Sequence, residues 1–219
     1  MTDLILAMGV FLAAHMIPAV KPVRAKLVRA IGEPVYLIAY SAVSLAVIIW
    51  MIWAYAAAPH VELWPPADWM RWLAVVVMAP ACVLTVAGIT TPNPFSLGWG
   101  RKGFDAARPG IVRITRHPVI WGLGLWAGVH ILVNGDLASL ILFGLLGVLG
   151  LAGPASLDAK RRSVLGAEAF EVLKAEVART ALSDALAQAG ALRIGGGLAL
   201  WAGLLAIHEW AVGVAPIVL

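Results

Sequence analysis

Residues 114–118, Ile114-Thr115-Arg116-His117-Pro118, open a run that continues Val119-Ile120-Trp121-Gly122-Leu123-Gly124-Leu125-Trp126-Ala127-Gly128-Val129-His130-Ile131-Leu132-Val133 and closes on Asn134-Gly135-Asp136. Pro118 suits the first turn of a helix, where its missing N–H costs nothing. Arg116 and His117 therefore stand at the mouth of an apolar helix, and His130 lies within a turn of its far end. At about 1.5 Å of rise per residue, the two imidazoles are roughly 20 Å apart along the axis. They cannot share one small metal ion, so a site built on either must draw partners from other segments.

Composition assigns the class. Hydrophobic residues make up 62% of the 219 and charged residues 13%, far from the roughly 25% charged content of a soluble domain. With a mean hydropathy of +0.91, the chain reads as an all-α, polytopic membrane helical bundle, a single transmembrane domain over residues 1–219. A spanning helix needs about 20 apolar residues. Six segments are expected to cross: Leu4–Val20, Val35–Ala58, Trp69–Ile89, Pro118–Val133, Leu137–Ala152 and Leu192–Trp210. The fourth and fifth are short and form a hairpin through Asn134-Gly135-Asp136.

Orientation follows from the basic residues, which are enriched in cytoplasmic loops. Lys21, Arg24, Lys26 and Arg29 follow the first segment. Arg101, Lys102, Arg108, Arg113 and Arg116 follow the third, and Lys160, Arg161, Arg162, Lys174, Arg179 and Arg193 follow the fifth. Only Arg71 falls on the other side, near Glu62 and Asp68. Both termini are expected to be periplasmic, in a multi-pass protein of the cell inner membrane. The calculated pI near 9.6 reflects this topology, and no nucleic-acid partner is expected; membrane lipids are. Met1-Thr2-Asp3 lacks the positive region of a cleavable signal peptide, so the first apolar run is expected to be retained. The lone Cys82, amid Ala81, Val83 and Leu84, reads as a packed small residue.

Taken in order, the first segment carries His15, about 17 Å along the helix from Leu4. Polar groups at such depth are functional candidates by default, although a neutral histidine bonded to a carbonyl explains it as well. Tyr36 and Tyr40 lie one turn apart on one helix face and read as interfacial anchors. Gly98-Trp99-Gly100-Arg101-Lys102-Gly103 spells G-x-G-x-x-G, but that motif works only between a strand and a helix. After a membrane span it is a glycine-rich basic loop at the headgroups. Gly124 and Gly128 make a G-x-x-x-G pair, which serves either close helix packing or a flat cofactor lying on the helix. Asp158-Ala159-Lys160-Arg161-Arg162 reads as a basic anchor. Ser163 to Gln188 reads as one amphipathic helix at the cytoplasmic interface.

Several of these stretches together resemble the NnrU family. They are Ala14-His15, Gly32-Glu33-Pro34-Val35-Tyr36, Pro92-Asn93-Pro94-Phe95-Ser96, Ile114 to Pro118 with Trp121-Gly122, and His130 with Asn134-Gly135-Asp136. Its members are bacterial inner-membrane proteins associated with denitrification, and plant 15-cis-zeta-carotene isomerase resembles them across this domain. The resemblance implies haem b, with His15 and His130 at the iron-ligand positions and His117, beside Arg116, as a further cofactor-binding residue. Spacing alone does not choose the pair: His15 lies about 17 Å along its helix and His130 only about 6 to 9 Å from the Asn134 turn. His208 is a spare candidate.

Three other functions stay open from the residues. One is a haem-dependent cis-trans isomerase of a hydrophobic polyene. Another is an S-adenosylmethionine-dependent membrane methyltransferase, since Arg116-His117-Pro118 and the later Leu165-Gly166-Ala167-Glu168-Ala169-Phe170 are similar to the isoprenylcysteine carboxyl methyltransferases. There, Val119-Ile120-Trp121 replaces the usual tyrosine after the proline, and Glu168 and Glu171 make a weak acidic pair. The third is a cofactor-free structural or assembly protein.

Overall fold

The computed structural model describes residues 1–18, 20–97, 100 and 102–217. Of the glycine-rich run at 98–103, Gly98, Trp99 and Arg101 lie outside the described residues. Among the described residues ten helices appear in the order α1 (Thr2–Met16), α2 (Lys21–Ile31), α3 (Glu33–Ala56), α4 (Asp68–Thr90), α5 (Ile111–Ile114), α6 (Pro118–Asn134), α7 (Leu137–Leu165), α8 (Ala167–Ala178), α9 (Leu182–Ala189) and α10 (Ala191–Val212). The all-α membrane bundle is thus realised. Among the described residues four helices, α3, α4, α7 and α10, are long and apolar enough to cross a bilayer. The other two expected spans correspond to α1 and α6, whose 15 and 17 residues fall short of the usual 20.

The chain forms two compact units, one of residues 1–64 with 135–142, the other of residues 65–134 with 143–219. In the first, α1 and α2 pack on α3, burying Leu4, Ala7, Met8, Val47, Met51 and Ala54. Gly32, at φ +81°, separates α2 from α3, and Pro34 with the acidic Glu33 starts α3 as the helix dipole favours. Tyr36 is not a lipid-facing anchor as its spacing suggested. It is buried, with the Arg24 guanidinium 5.5 Å from its ring centre and its hydroxyl donating to Pro18 O. Tyr36 is drawn inward because α2 folds back over the start of α3.

The turn at Asn134-Gly135-Asp136 is held by backbone bonds. Leu63 N–H and Trp64 N–H both donate to Gly135 O, and Leu137 N–H donates to Val61 O. Gly135 is at φ +64°, and a Cβ there would strike Trp64 O, so no other residue fits. Asp136 caps α7 by accepting from Ser139 N–H at 3.0 Å. Its other oxygen accepts from the Ser139 hydroxyl, which also bonds Tyr55 Oη at 2.7 Å.

In the second unit α4 packs against both α6 and α10. Small residues set the approach. A Cβ on Gly88 would lie 2.7 Å from Pro118 Cγ, one on Gly122 would meet Ala81 O and Thr85, and one on Gly197 would meet the Val83 backbone. Such close backbone contact is how helices associate where lipid supplies no hydrophobic drive between them. Gly150 of α7 faces Gly124 of α6 at a Cβ distance of 2.9 Å, while Gly128 has nothing within 4 Å. The two glycines of the G-x-x-x-G pair therefore differ: Gly124 is a packing contact and Gly128 an open one.

The stretch expected as one amphipathic helix is divided. Asp158 to Arg162 continue α7 rather than forming a loop, and Gly166, at φ +89°, ends that helix. Two shorter helices, α8 and α9, follow. Their apolar faces are buried in a cluster of Ala87, Phe95, Ile111, Val112, Phe170, Val177 and Ala189. Phe95 meets Phe170 and Phe104 edge-on at 5.6 and 6.4 Å. Each buried aromatic contributes roughly 1.5–3 kcal/mol from area alone, so α8 and α9 are docked to protein through one face. Elsewhere apolar side chains stay outward, Leu192 at 90% and Trp210 at 88% exposure. In water such surface would drive aggregation; against lipid it is the solvated face.

Candidate functional site

His15 and His130 share one local geometry on different helices. His15 Nδ1–H donates to Phe11 O at 2.8 Å, and His130 Nδ1–H donates to Trp126 O at 2.7 Å. In each case the acceptor is the carbonyl one turn back, which helical geometry places beside the ring. With Nδ1 so engaged, Nε2 is the nitrogen that could meet a ligand, as in metal-binding histidines whose other nitrogen is held by a carbonyl. Aromatic rings surround both. Phe11 lies 4.3 Å and Tyr40 6.0 Å from His15; Trp126 lies 5.4 Å and Phe143 5.0 Å from His130. His208 differs: its Nδ1–H donates to Val214 O at 2.8 Å, six residues ahead rather than one turn back, and it is near enough to His130 to act on it electrostatically.

The donor chemistry fits haem iron. Among the described residues no group of three or more His, Cys, Asp or Glu side chains could hold a metal ion. Haem carries its own ring of nitrogens and asks the protein only for axial ligands, commonly imidazole. His15 belongs to the first compact unit and His130 to the second.

Arg116 and His117 are brought together by a residue that the sequence did not single out. Asp158, on the extended end of α7, accepts from Arg116 Nη2 at 2.6 Å and from Arg116 Nε at 3.4 Å. Its Oδ1 also accepts from His117 Nε2–H at 2.9 Å. His117 is 3% exposed, against 25% for Asp158 and 33% for Arg116. Its bonded nitrogen is the opposite of that in His15 and His130, and Nδ1 is buried with no partner among the described residues. Burial pushes the His117 imidazole below its ordinary pKa and the neighbouring Arg116 charge adds to this, while the bond to Asp158 opposes them.

Further bonds link this clasp to the Pro92-Asn93-Pro94 loop. Asn93, fully buried, donates to Arg116 O at 2.9 Å and accepts from Phe95 N–H. Arg161, one turn after Asp158, donates to Ser96 O at 3.0 Å. Asp158 and Arg161 looked like members of a solvated basic run, yet one acid heading Asp158-Ala159-Lys160-Arg161-Arg162 was the available signal. Of the pair weighed for a methyltransferase, Glu171 is engaged by Arg162 and Lys174 at 3.6 and 3.3 Å. Arg116 is committed to Asp158.

Fold and site define a polytopic all-α membrane protein with two histidines, each bonded to the carbonyl one turn back, on apolar helices and a half-buried Arg116–Asp158–His117 clasp where α6 begins. The model of one protein family, described as "NnrU protein", matches residues 3–216, and the chain belongs to this NnrU family. No curated protein and no solved structure matches it.

Proposed function

We propose that this NnrU protein binds haem b, with His15 and His130 as iron ligands, and serves nitrogen-oxide metabolism in the bacterial inner membrane with both termini periplasmic. The observation that carries the haem reading is the shared histidine geometry: two imidazoles on apolar helices, each tied through Nδ1 to the carbonyl four residues back. Such a bond supports a ligand role because it orients the ring and raises the basicity of Nε2. Haem would supply a redox-active iron. The protein's part is to present the two Nε2 lone pairs and, through Phe11, Tyr40, Trp126 and Phe143, to keep polar competitors away from them. The nitrogen-oxide role rests on the family alone.

The test is an absorption spectrum of the detergent-purified protein, oxidised and dithionite-reduced, with a pyridine haemochrome assay for stoichiometry. A b-type spectrum is expected, lost in His15→Ala and in His130→Ala but kept in His60→Ala, whose histidine is exposed in the loop between α3 and α4. Membrane insertion should be intact in all three, since none alters the basic residues that set topology. Haem retained at wild-type stoichiometry in both ligand variants would refute the assignment. Loss in His208→Ala with retention in His130→Ala would move the ligand to α10.

A further inference from the structure

Away from the histidines, a cavity of about 290 Å³ opens among Thr91, Phe104, Asp105, Arg108, Gln188 and Arg193, floored by the backbone of Gly103 and Gly110. Its place in the fold fixes its depth. Thr91 caps the end of α4 and Arg193 lies in the first turn of α10. These two helices pack on each other where Gly197 meets the Val83 backbone. From that contact Thr91 lies about 12 Å and Arg193 about 6 Å along their helices, so the cavity lies where the two apolar helices end and, under the topology proposed above, in the headgroup layer.

Its polar lining is unbalanced toward donors. Arg108 is exposed and makes no ion pair among the described residues. Arg193 holds only long bonds, Nη1 to Ala189 O at 3.4 Å and Nη2 to Thr90 O at 3.5 Å. Gln188 accepts from Gly110 N–H through Oε1, which leaves its amide N–H₂ to donate. Thr91 Oγ1 is buried and has no partner among the described residues. Against these stands one carboxylate, Asp105, whose Oδ1 accepts from Ala107 N–H.

We propose that this cavity is a phosphate site, formed by Arg108 and Arg193 with Gln188 and Thr91, that takes the headgroup phosphate of an anionic lipid. Guanidinium groups suit this ligand because their forked N–H donors match phosphate oxygens two at a time. A basic cavity between helix ends at the cytoplasmic face is also where anionic headgroups are concentrated. Asp105 opposes the bound charge and sets an upper limit on affinity.

The full-length protein in neutral detergent tests this. Its thermal unfolding midpoint is followed while dioctanoyl phosphatidylglycerol, dioctanoyl phosphatidylcholine or sodium phosphate is added. Saturable stabilisation by phosphatidylglycerol is expected, with half-saturation raised about tenfold in Arg108→Gln and in Arg193→Gln, the loss of one charge-assisted contact. Asp105→Asn, on an exposed loop, should lower it. Saturation by sodium phosphate at the same or lower concentration would keep the site and assign it to a soluble phosphate. Half-saturation unchanged in the double arginine variant, or no saturation by either phosphate source, overturns the proposal. If the arginine variants do not fold, an Asp105→Asn protein that saturates where wild type does overturns it equally.

Discussion

Removing Asp158 should destabilise the protein far more than removing any exposed acid. In Asp158→Ala, His117 Nε2–H loses its acceptor while the ring stays buried at 3% exposure. Orphaning a buried donor costs about 1–3 kcal/mol. Arg116, one-third exposed, regains some water, so losing its carboxylate adds about 1 kcal/mol, near the upper end for surface pairs. The sum is about 2–4 kcal/mol, below the figure of about 3–5 kcal/mol for breaking a fully buried pair. Asp158→Asn keeps an oxygen for His117 and gives up only the charge, so about half that loss is expected. Glu171→Gln is the control: its partners lie at 3.3 and 3.6 Å with about half of every side chain in solvent, and such pairs contribute about 0–1 kcal/mol. Unfolding in mixed detergent micelles, followed by tryptophan fluorescence, measures the difference. Asp158→Ala and Glu171→Gln falling within about 0.5 kcal/mol of each other would refute the view of Asp158 as the acceptor that holds the helix entrance together.

Two more predictions follow from the packing and the clasp. Gly150→Ala should destabilise, because the new Cβ would sit 2.9 Å from Gly124 Cα, whereas Gly128→Ala, with nothing within 4 Å, should be neutral or gain up to about 1 kcal/mol of helix propensity; equal effects in the same unfolding assay would contradict the assigned contacts. The second concerns pH: burial lowers the His117 pKa in the folded protein, so between that value and the unfolded value of about 6.5 the unfolded state binds more protons and stability rises with pH. The contribution is complete above about pH 7 and is lost as the pH falls through the folded value. His117→Gln should flatten this slope, and an unchanged slope would place its origin in another group.

Much of the fold was legible because lipid imposes a simple code. Long apolar runs at Val35–Ala58 and Trp69–Ile89 reappear as α3 and α4 within a few residues, since a backbone in hydrocarbon has helix as its only single-segment solution. Turn chemistry was equally direct at Asn134-Gly135-Asp136, where φ +64° at Gly135 requires the residue that stands there. Gly166 shows the limit. Residues 163–188 carry an apolar stripe of helical period, and periodicity does not report that one glycine leaves the helical region. Only the docking of Phe170 and Val177 beside Phe95 shows which faces the two resulting helices bury.

The sequence alone determined the membrane class, the apolar helices and the histidines worth naming, because hydropathy and residue type are local properties. The tertiary structure decided what those histidines are bonded to. His15 and His130 turn Nδ1 to a carbonyl, while His117 gives Nε2 to Asp158, forty-one residues away. A hydrogen bond between segments so far apart depends on how the helices pack, and no local pattern in the chain encodes it.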